Sequence, residues 1–108
     1  MKVYVAGPYS ADTSNEREDN TRSAIFYGVR LKEKGHSPFI PHLLHYVDQQ
    51  YPMRFSCEDY AEWDDAFLKI CDGFLYTGAS RGSDRELQIA KDMDMRIFYG
   101  IDEVPNSE

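Results

Sequence analysis

The chain has 108 residues, of which 42% are hydrophobic, and this size suits one compact domain but not a catalytic domain with a separate regulatory one. Twelve basic and nineteen acidic residues give a formal charge of −7, which disfavours nucleic acid polymers and anionic membranes as partners. No apolar run approaches the roughly 20 residues of a membrane span or forms the core of a signal peptide, so we expect a soluble cytoplasmic protein.

The first third of the chain predicts a strand, a long helix and a second strand. Lys2 to Ala6 is β-branched and aromatic and ends at Gly7-Pro8, which is typical of a buried strand followed by a turn. From about Asn15, small and apolar residues recur at helical spacing until Gly35, which predicts a helix that ends there. Residues 37–40 then predict a short strand that Pro41 closes.

Residues 42–56 show no clear period, and so long a connection is a candidate lid over a site. His42 and His45 have a spacing that could chelate a metal, but a third ligand is missing and Pro41 favours a loop, so we expect no zinc site. The histidines could instead line or cap a pocket. Cys57 and Cys71 lack the spacing of a disulfide framework or redox motif, so we expect reduced, buried thiols.

The rest of the chain predicts a second alternation of helices and strands. Aromatic and apolar residues at spacings of three and four predict an amphipathic helix over residues 59–70. The remaining elements are a strand at 73–77, a helix at about 83–94, a strand at 96–99 and a polar tail at 101–108, expected to fray or to reach a neighbouring subunit.

Strands that alternate with helices predict right-handed crossovers and a parallel sheet covered on both faces. We therefore expect residues 1–108 to form a single α/β domain, a Rossmann-like or flavodoxin-like three-layer sandwich with four to five parallel strands in the order 2-1-3-4. In this order the loops after the first and third strands are neighbours. Residues 7–10 and 80–86 should then line one crevice.

The loop between the third strand and the next helix has two interpretations. Ser80 to Ser83 would place free backbone N–H groups at a helix start, an arrangement that favours a phosphate or a sugar hydroxyl. Glu86 would then project behind this cradle as a reactive carboxylate. However, Ser83 and Glu86 also have the S-x-x-E spacing of a capping box, in which the glutamate only ties down the helix start.

A second carboxylate is expected on the helix over residues 59–70. Asp64 and Asp65 are adjacent and point about 100° apart, so at most one of them can face the crevice. We favour Asp64, which follows Trp63, over the alternative of a solvated surface residue. Asp64 and Glu86 would form the carboxylate pair of glycosidic chemistry, in which one group attacks or stabilises the anomeric carbon and the other handles protons.

Several motifs in order resemble one known superfamily. They are K-V-Y-V-A-G-P-Y at the N-terminus, W-D eight residues before C-D, and S-R-G-S-D-R-E before L-x-x-A. Together they are similar to the nucleoside 2-deoxyribosyltransferase-like superfamily, and most of all to a group of uncharacterised domains that share A-G-P-Y and P-H-L-x-H. The superfamily includes base-exchanging transferases and hydrolases that cleave the N-glycosidic bond of nucleoside 5′-monophosphates.

This resemblance implies roles for three residues in catalysis. The nucleophilic glutamate of the family falls on Glu86, and its assisting aspartate falls on Asp64, eight residues before Asp72. The tyrosine that lies near these carboxylates in the family falls on Tyr4. The resemblance implies neither a cofactor nor a metal ion.

The resemblance also implies a substrate site built from the two loops. The first loop would contribute Gly7, Pro8 and Tyr9, where Pro8-Tyr9 replaces small polar residues of the hydrolases and could narrow the sugar pocket. Ser80 stands where the transferases carry an aspartate for the free 5′-hydroxyl and the hydrolases a serine for the phosphate. Phosphate contacts would come from Ser80, Gly82 and Ser83, with positive charge from Arg17, Arg22 or Arg81.

The leading hypothesis is therefore N-glycosidic cleavage or transfer on a (deoxy)nucleoside 5′-monophosphate through a glutamate nucleophile. Two other classes stay open: a catalytically silent nucleotide-binding or sensing module of the same fold, and a purely structural interaction protein. We also expect a homo-oligomer, most simply a homodimer, because the helices carry many large apolar residues and family relatives complete their sites across subunits. These residues are Phe26, Tyr27, Tyr60, Trp63 and Phe67.

Overall fold

The computed structural model describes residues 1–107 and contains a parallel sheet of four strands in the order β2-β1-β3-β4. The strands are β1 (Lys2–Ala6), β2 (Ser37–Phe39), β3 (Gly73–Tyr76) and β4 (Arg96–Phe98). The helices are α1 (Ser14–Glu33), α2 (Leu44–Gln50), α3 (Cys57–Leu68) and α4 (Arg81–Asp92). The predicted α/β sandwich and its strand order are confirmed. Within residues 1–107, no helix has both the length and the apolar character needed to cross a membrane.

Successive side chains of β1 point to opposite faces of the sheet and so build two separate cores. Val3 and Val5 pack on the face that α1 covers, together with Leu31 of that helix. Tyr4 and Ala6 point to the other face, where they pack with residues of α3 and α4. All four of these β1 residues are fully buried, as expected for a central strand.

Helix α1 follows the predicted pattern closely. The Thr13 hydroxyl caps its start by accepting the Glu16 N–H at 3.1 Å. Its buried stripe consists of Thr21, Ala24, Gly28 and Leu31. The chain leaves the helix through Gly35, whose φ of +93° is a conformation that glycine adopts without steric cost.

Within the segment that lacks a sequence period, the part that holds His42 and His45 is helical, which corrects the loop that Pro41 had favoured. Pro41 begins a 3-10 turn over Pro41–Leu43, and α2 follows at once. Proline suits this position because its missing N–H would have had no helical acceptor and its fixed φ is already helical. The non-helical part of this connection is therefore limited to residues 51–56.

The C-terminal tail packs against its own chain, so the expectation that it frays is wrong as far as residue 107. Val104 is buried beneath α1, and the Ser107 N–H donates to the Lys34 carbonyl at 2.7 Å. His36 joins both ends of the chain, since its ring nitrogens lie 3.1 Å from the Met1 ammonium and 2.6 Å from the Pro105 carbonyl. Residue 108 lies outside the described residues.

The two cysteines are not both buried, in contrast to the prediction. Cys57, the first residue of α3, is exposed. Cys71 is half-buried just before β3, and its thiol donates to the Phe67 carbonyl at 3.3 Å. Both are free thiols.

Candidate active site

A tyrosine and a glutamate meet on the sheet face that α3 and α4 cover. The Tyr4 hydroxyl donates to Oε2 of Glu86, which is 8% exposed. The Tyr4 ring is stacked between Phe39 and Phe74, with centroid separations of 5.7 and 5.9 Å. Because packing fixes the phenol ring on both sides, its hydroxyl holds the carboxylate in one position.

Glu86 does not cap a helix, so that alternative from the sequence is wrong. Helix α4 starts at Arg81, and its N-cap is Ser80, whose hydroxyl accepts the Ser83 N–H at 3.1 Å. Glu86 therefore lies more than one turn inside the helix, beyond the reach of the N-cap backbone. The structure does contain a capping box, but on α3, between Ser56 and Asp59.

The two adjacent aspartates of α3 have different surroundings. Asp65 forms a two-pronged ion pair with Arg85, with N–O distances of 3.0 and 3.1 Å. Asp64 is half-buried, and its Oδ1 atom is fully buried without a hydrogen-bond partner among the described residues. Asp64 therefore faces inward and Asp65 outward. A buried carboxylate oxygen without a partner is costly and calls for a ligand or proton to satisfy it.

Both inward-facing carboxyl groups change protonation near neutral pH. Burial raises the pKa of Glu86 to about 7, although the Tyr4 hydrogen bond and the Arg85 charge oppose the increase. Burial raises the pKa of Asp64 to about 7 as well, with the negative charge of Glu86 as the next cause. Burial and both carboxylates raise the pKa of Tyr4 far above its usual value, so Tyr4 stays a neutral donor. The cluster can thus hold one anion beside one acid.

The loops after β1 and β3 lie against each other, as the strand order requires. Thr77 follows β3, and its hydroxyl donates to the Ala6 carbonyl at 3.0 Å. A side chain at position 7 would overlap the Thr77 hydroxyl, while Pro8 packs against Gly78. Packing between the loops is therefore enough to explain the glycine at position 7, which the resemblance had related to ligand approach.

His42 and His45 form hydrogen bonds with the first loop. The Nε2 atom of His42 lies 3.1 Å from both the Gly7 and the Pro8 carbonyl oxygens. His45 lies 2.8 Å from the Tyr9 hydroxyl through Nδ1 and 2.8 Å from a Glu18 carboxylate oxygen through Nε2. Residues 1–107 hold no group of three or more His, Cys, Asp or Glu side chains placed to bind a metal ion.

Polar side chains of α1 also hold this loop. Arg17, a candidate phosphate ligand, donates to the Ala11 carbonyl at 2.8 Å. Asn20 donates to the Tyr9 carbonyl at 2.9 Å, a role that sequence reasoning missed. The sequence feature that could have indicated this role is a polar residue in the first turns of the helix that follows the Gly-Pro turn. These contacts bond the loop to α1 within the protein itself.

In the second loop, backbone N–H groups are more available to a ligand than the serine hydroxyls. Ser83 is 1% exposed and donates to the Gly78 carbonyl at 2.8 Å, while the Ser80 hydroxyl caps α4. In contrast, Gly82 is exposed, and a side chain there would meet no atom within 4 Å. The first N–H groups of a helix have no intrahelical acceptor. An anion would therefore meet the amides of Arg81 and Gly82 rather than the Ser83 hydroxyl.

Two surface hollows lie away from the carboxyl cluster. The first has a volume of about 200 Å³ and is lined by Lys2, β2 and the end of α3. The second has a volume of about 390 Å³ and is lined by Phe55 and one face of α3. Glu86 lines neither hollow. Since Glu86 is almost completely covered, a substrate can reach it only if surrounding side chains move.

Neither the protein-family models nor the curated proteins that were compared with this chain give a match. The functional interpretation therefore depends on the motifs in the sequence and on the geometry of the site. The geometry joins three residues that the motifs had singled out from distant parts of the chain: Tyr4, Asp64 and Glu86.

Proposed function

We propose that this protein cleaves or transfers the N-glycosidic bond of a (deoxy)nucleoside 5′-monophosphate, with Glu86 as the nucleophile. One observation carries the proposal. The buried Glu86 carboxylate is held by Tyr4 and is close enough to Asp64 to raise its pKa, while Asp64 has a buried oxygen that finds no hydrogen-bond partner within residues 1–107. Strongly perturbed carboxyl groups in one cluster are typical of catalytic sites.

The reaction would proceed in two displacements at the anomeric carbon. In the first, an ionised oxygen of Glu86 forms a bond to this carbon while the bond to the base nitrogen breaks. The protonated carboxyl group of Asp64 supplies the proton that the departing base needs. In the second, water or another base attacks the same carbon and releases Glu86, and the Asp64 carboxylate accepts the proton of the attacking group.

Tyr4 would keep Glu86 ready for attack. Its hydrogen bond lowers the pKa of Glu86 and so favours the ionised form that a nucleophile needs. Because the bond uses one carboxylate oxygen, the other remains free to meet the anomeric carbon. Tyr4 has its own pKa raised and does not compete with Glu86 for this role.

A 5′-phosphate would bind at the start of α4. The exposed amides of Arg81 and Gly82 and the positive end of the helix favour an anion there. Glu86 lies five positions after Arg81 along the helix, a rise of roughly 7.5 Å. That separation suits a phosphate at the helix start and an anomeric carbon beside the nucleophile. We expect this activity in the cytoplasm, where free nucleotides occur.

A silent nucleotide-binding module of the same fold is the second candidate. The observations that favour it are the almost complete burial of Glu86 and the use of both loop hydroxyls within the protein. Such a module would bind a nucleoside monophosphate at the helix start without releasing the base. The two candidates therefore predict the same binding and different turnover.

We also propose that the protein forms a homodimer, through apolar side chains that the monomer leaves uncovered. Phe26 on α1 is 57% exposed, and Trp63 and Phe67 on α3 are each 39% exposed. Tyr27 and Tyr60 are partly covered within the chain. Light scattering at tens of micromolar should give twice the monomer mass, and a monomer mass would reject this part of the proposal.

The activity is tested by measuring base release from purine and pyrimidine nucleoside 5′-monophosphates. The wild-type protein should release base, and Glu86→Gln should lose nearly all turnover, a factor of about 10³ or more, since it removes the anionic nucleophile. Glu62→Gln changes an exposed glutamate on α3 in the same way and should retain full activity. Wild-type binding without any base release would favour the silent module.

A further inference from the structure

An ion pair links the two helices that carry the candidate catalytic carboxyl groups. Arg85 of α4 reaches Asp65 of α3 through both terminal guanidinium nitrogens, at 3.0 and 3.1 Å. Each partner is the immediate sequence neighbour of a site residue, because Asp65 follows Asp64 and Arg85 precedes Glu86. The ion pair therefore lies directly outside the carboxyl cluster.

We propose that the Arg85–Asp65 ion pair is a positioning clamp that sets the separation of Asp64 and Glu86 and balances the charge around them. Its catalytic consequence rests on the proposed function, but the clamp itself is a property of the free protein. The two residues act through their neighbours and are expected to make no contact with the substrate.

Helix geometry explains why a clamp at this point controls the site. Adjacent residues on a helix point about 100° apart, so Asp65 and Arg85 can meet outside while Asp64 and Glu86 face inward. A two-pronged contact between a guanidinium and a carboxylate fixes orientation as well as distance. A clamp at this point therefore acts on both helices, next to the residues that carry the inner carboxyl groups.

Helix α3 has few other contacts that could hold Asp64 in place. Leu68 is its only fully buried residue, and it lies at the C-terminal end of the helix. Phe67 adds a stacking contact with Phe39, with ring centroids 4.7 Å apart, also near that end. In contrast, the Arg85–Asp65 ion pair connects α3 to α4 directly beside Asp64.

The separation of the inner carboxyl groups matters for the proposed chemistry. Glycosidic enzymes that form a covalent intermediate hold their two carboxyl groups about 5–5.5 Å apart, whereas those that activate water directly hold them roughly 6.5–9.5 Å apart. We expect a clamp on the neighbouring residues to restrict this separation. A shift of about 1 Å can reduce a rate about 10²-fold.

The clamp also places opposite charges beside the same two groups. The titratable groups of the cluster are Tyr4 from β1, Asp64 from α3 and Glu86 from α4, and the charges of Asp65 and Arg85 act on them from outside. Arg85 lowers the pKa values of both inner carboxyl groups, and Asp65 raises them. The partners therefore have opposite effects, which largely cancel while the clamp is intact.

Carboxyl-carbon NMR of the free protein, titrated from pH 4 to 9, tests the clamp without any substrate. Arg85→Gln should raise the apparent pKa values of the Asp64 and Glu86 pair, and Asp65→Asn should lower them, each by about half a unit or more. The double variant should return close to wild type. Arg30→Gln removes the partner of an exposed ion pair on α1 and should leave both values unchanged.

Shifts in the same direction for both single variants, or no shift in either, would overturn the charge balance. Arg85→Lys then separates charge from position, because it keeps the positive charge and loses the two-pronged geometry. Its carboxyl pKa values should stay near wild type, while kcat for base release should fall about tenfold or more with a smaller change in KM. Wild-type kcat in this variant would overturn the positioning role.

The experiment distinguishes failure of the clamp from failure of the proposed function. If wild-type protein releases no base from any nucleoside monophosphate, the proposed function fails. In that case the opposite pKa shifts of Arg85→Gln and Asp65→Asn still decide whether the clamp exists. If base release is observed but the pKa values do not respond, the clamp fails and the activity stands.

Discussion

The two faces of the sheet differ in how well their buried polar groups are hydrogen-bonded. On the α1 face, the buried His36 bridges the two ends of the chain through both of its ring nitrogens. On the α3–α4 face, Glu86 is buried with a raised pKa, and Asp64 has a buried oxygen with no partner in the part of the chain that the structure describes. The first arrangement stabilises the fold. The second costs stability, which is typical of a site kept for function.

The α1 face should respond to mutation as an ordinary core. Leu31 is fully buried there, and Leu31→Ala should destabilise the protein by about 3 kcal/mol because it removes apolar contacts and leaves a cavity. Urea unfolding measures this loss, which should be the same at pH 5 and pH 8. A loss that depends strongly on pH would contradict the distinction between the two faces.

The α3–α4 face should respond in the opposite way when its charge is removed. The pKa of Glu86 is raised from 4.5 to about 7, so the folded state favours the protonated form. Its burial is without electrostatic cost below pH 4.5, the cost grows as the pH rises from 4.5 to 7, and it is constant above pH 7. The difference of about 2.5 pH units corresponds to roughly 3 kcal/mol at most.

Glu86→Gln should therefore stabilise the protein at pH 8 by up to this amount and have little effect at pH 4.5. Glutamine can still accept the Tyr4 hydrogen bond through its amide oxygen. Urea unfolding of both proteins across this pH range gives the difference directly. Destabilisation by Glu86→Gln at pH 8 would mean that Glu86 has a structural role and would remove the contrast with the α1 face.

A substitution at the start of α4 should have the smallest effect on stability. A side chain at position 82 would meet no atom within 4 Å, so Gly82→Ala should leave stability unchanged or raise it by about 0.5 kcal/mol. If a phosphate approaches the backbone there, the added methyl group should weaken binding of a nucleoside 5′-monophosphate several-fold. Binding of the unphosphorylated nucleoside should not change. Calorimetry that shows equal weakening for both ligands would place the phosphate elsewhere.

The sequence predicted the sheet because each signal for it is local. The apolar runs of β1 and β3, the helical stripe of α1 and the short connections leave few possible topologies, and order 2-1-3-4 is one of them. The choice of Asp64 over Asp65 agrees with the inward direction that the structure gives it. The angle between adjacent helical residues limited the inward position to one of the two aspartates, and the position after Trp63 favoured Asp64 without deciding between them.

The parts that sequence reasoning missed depend on contacts between distant residues. Helix α2 has only seven residues and no apolar stripe, and it is held by His45, which contacts Tyr9 and Glu18 from 36 and 27 residues away. The start of α4 was ambiguous because Ser80 and Ser83 are both good N-caps. Only the structure shows that Ser80 takes this role and that Glu86 turns to Tyr4 instead.

The central claim is that Glu86 forms a bond to the anomeric carbon, and mass spectrometry of acid-quenched reactions tests it most directly. Wild-type protein mixed with a deoxynucleoside 5′-monophosphate should give a peptide that contains Glu86 and carries one deoxyribosyl phosphate. Glu86→Gln should give the unmodified peptide. Base release by the wild-type protein with the adduct on another residue, or with no adduct under rapid quenching, would contradict the account.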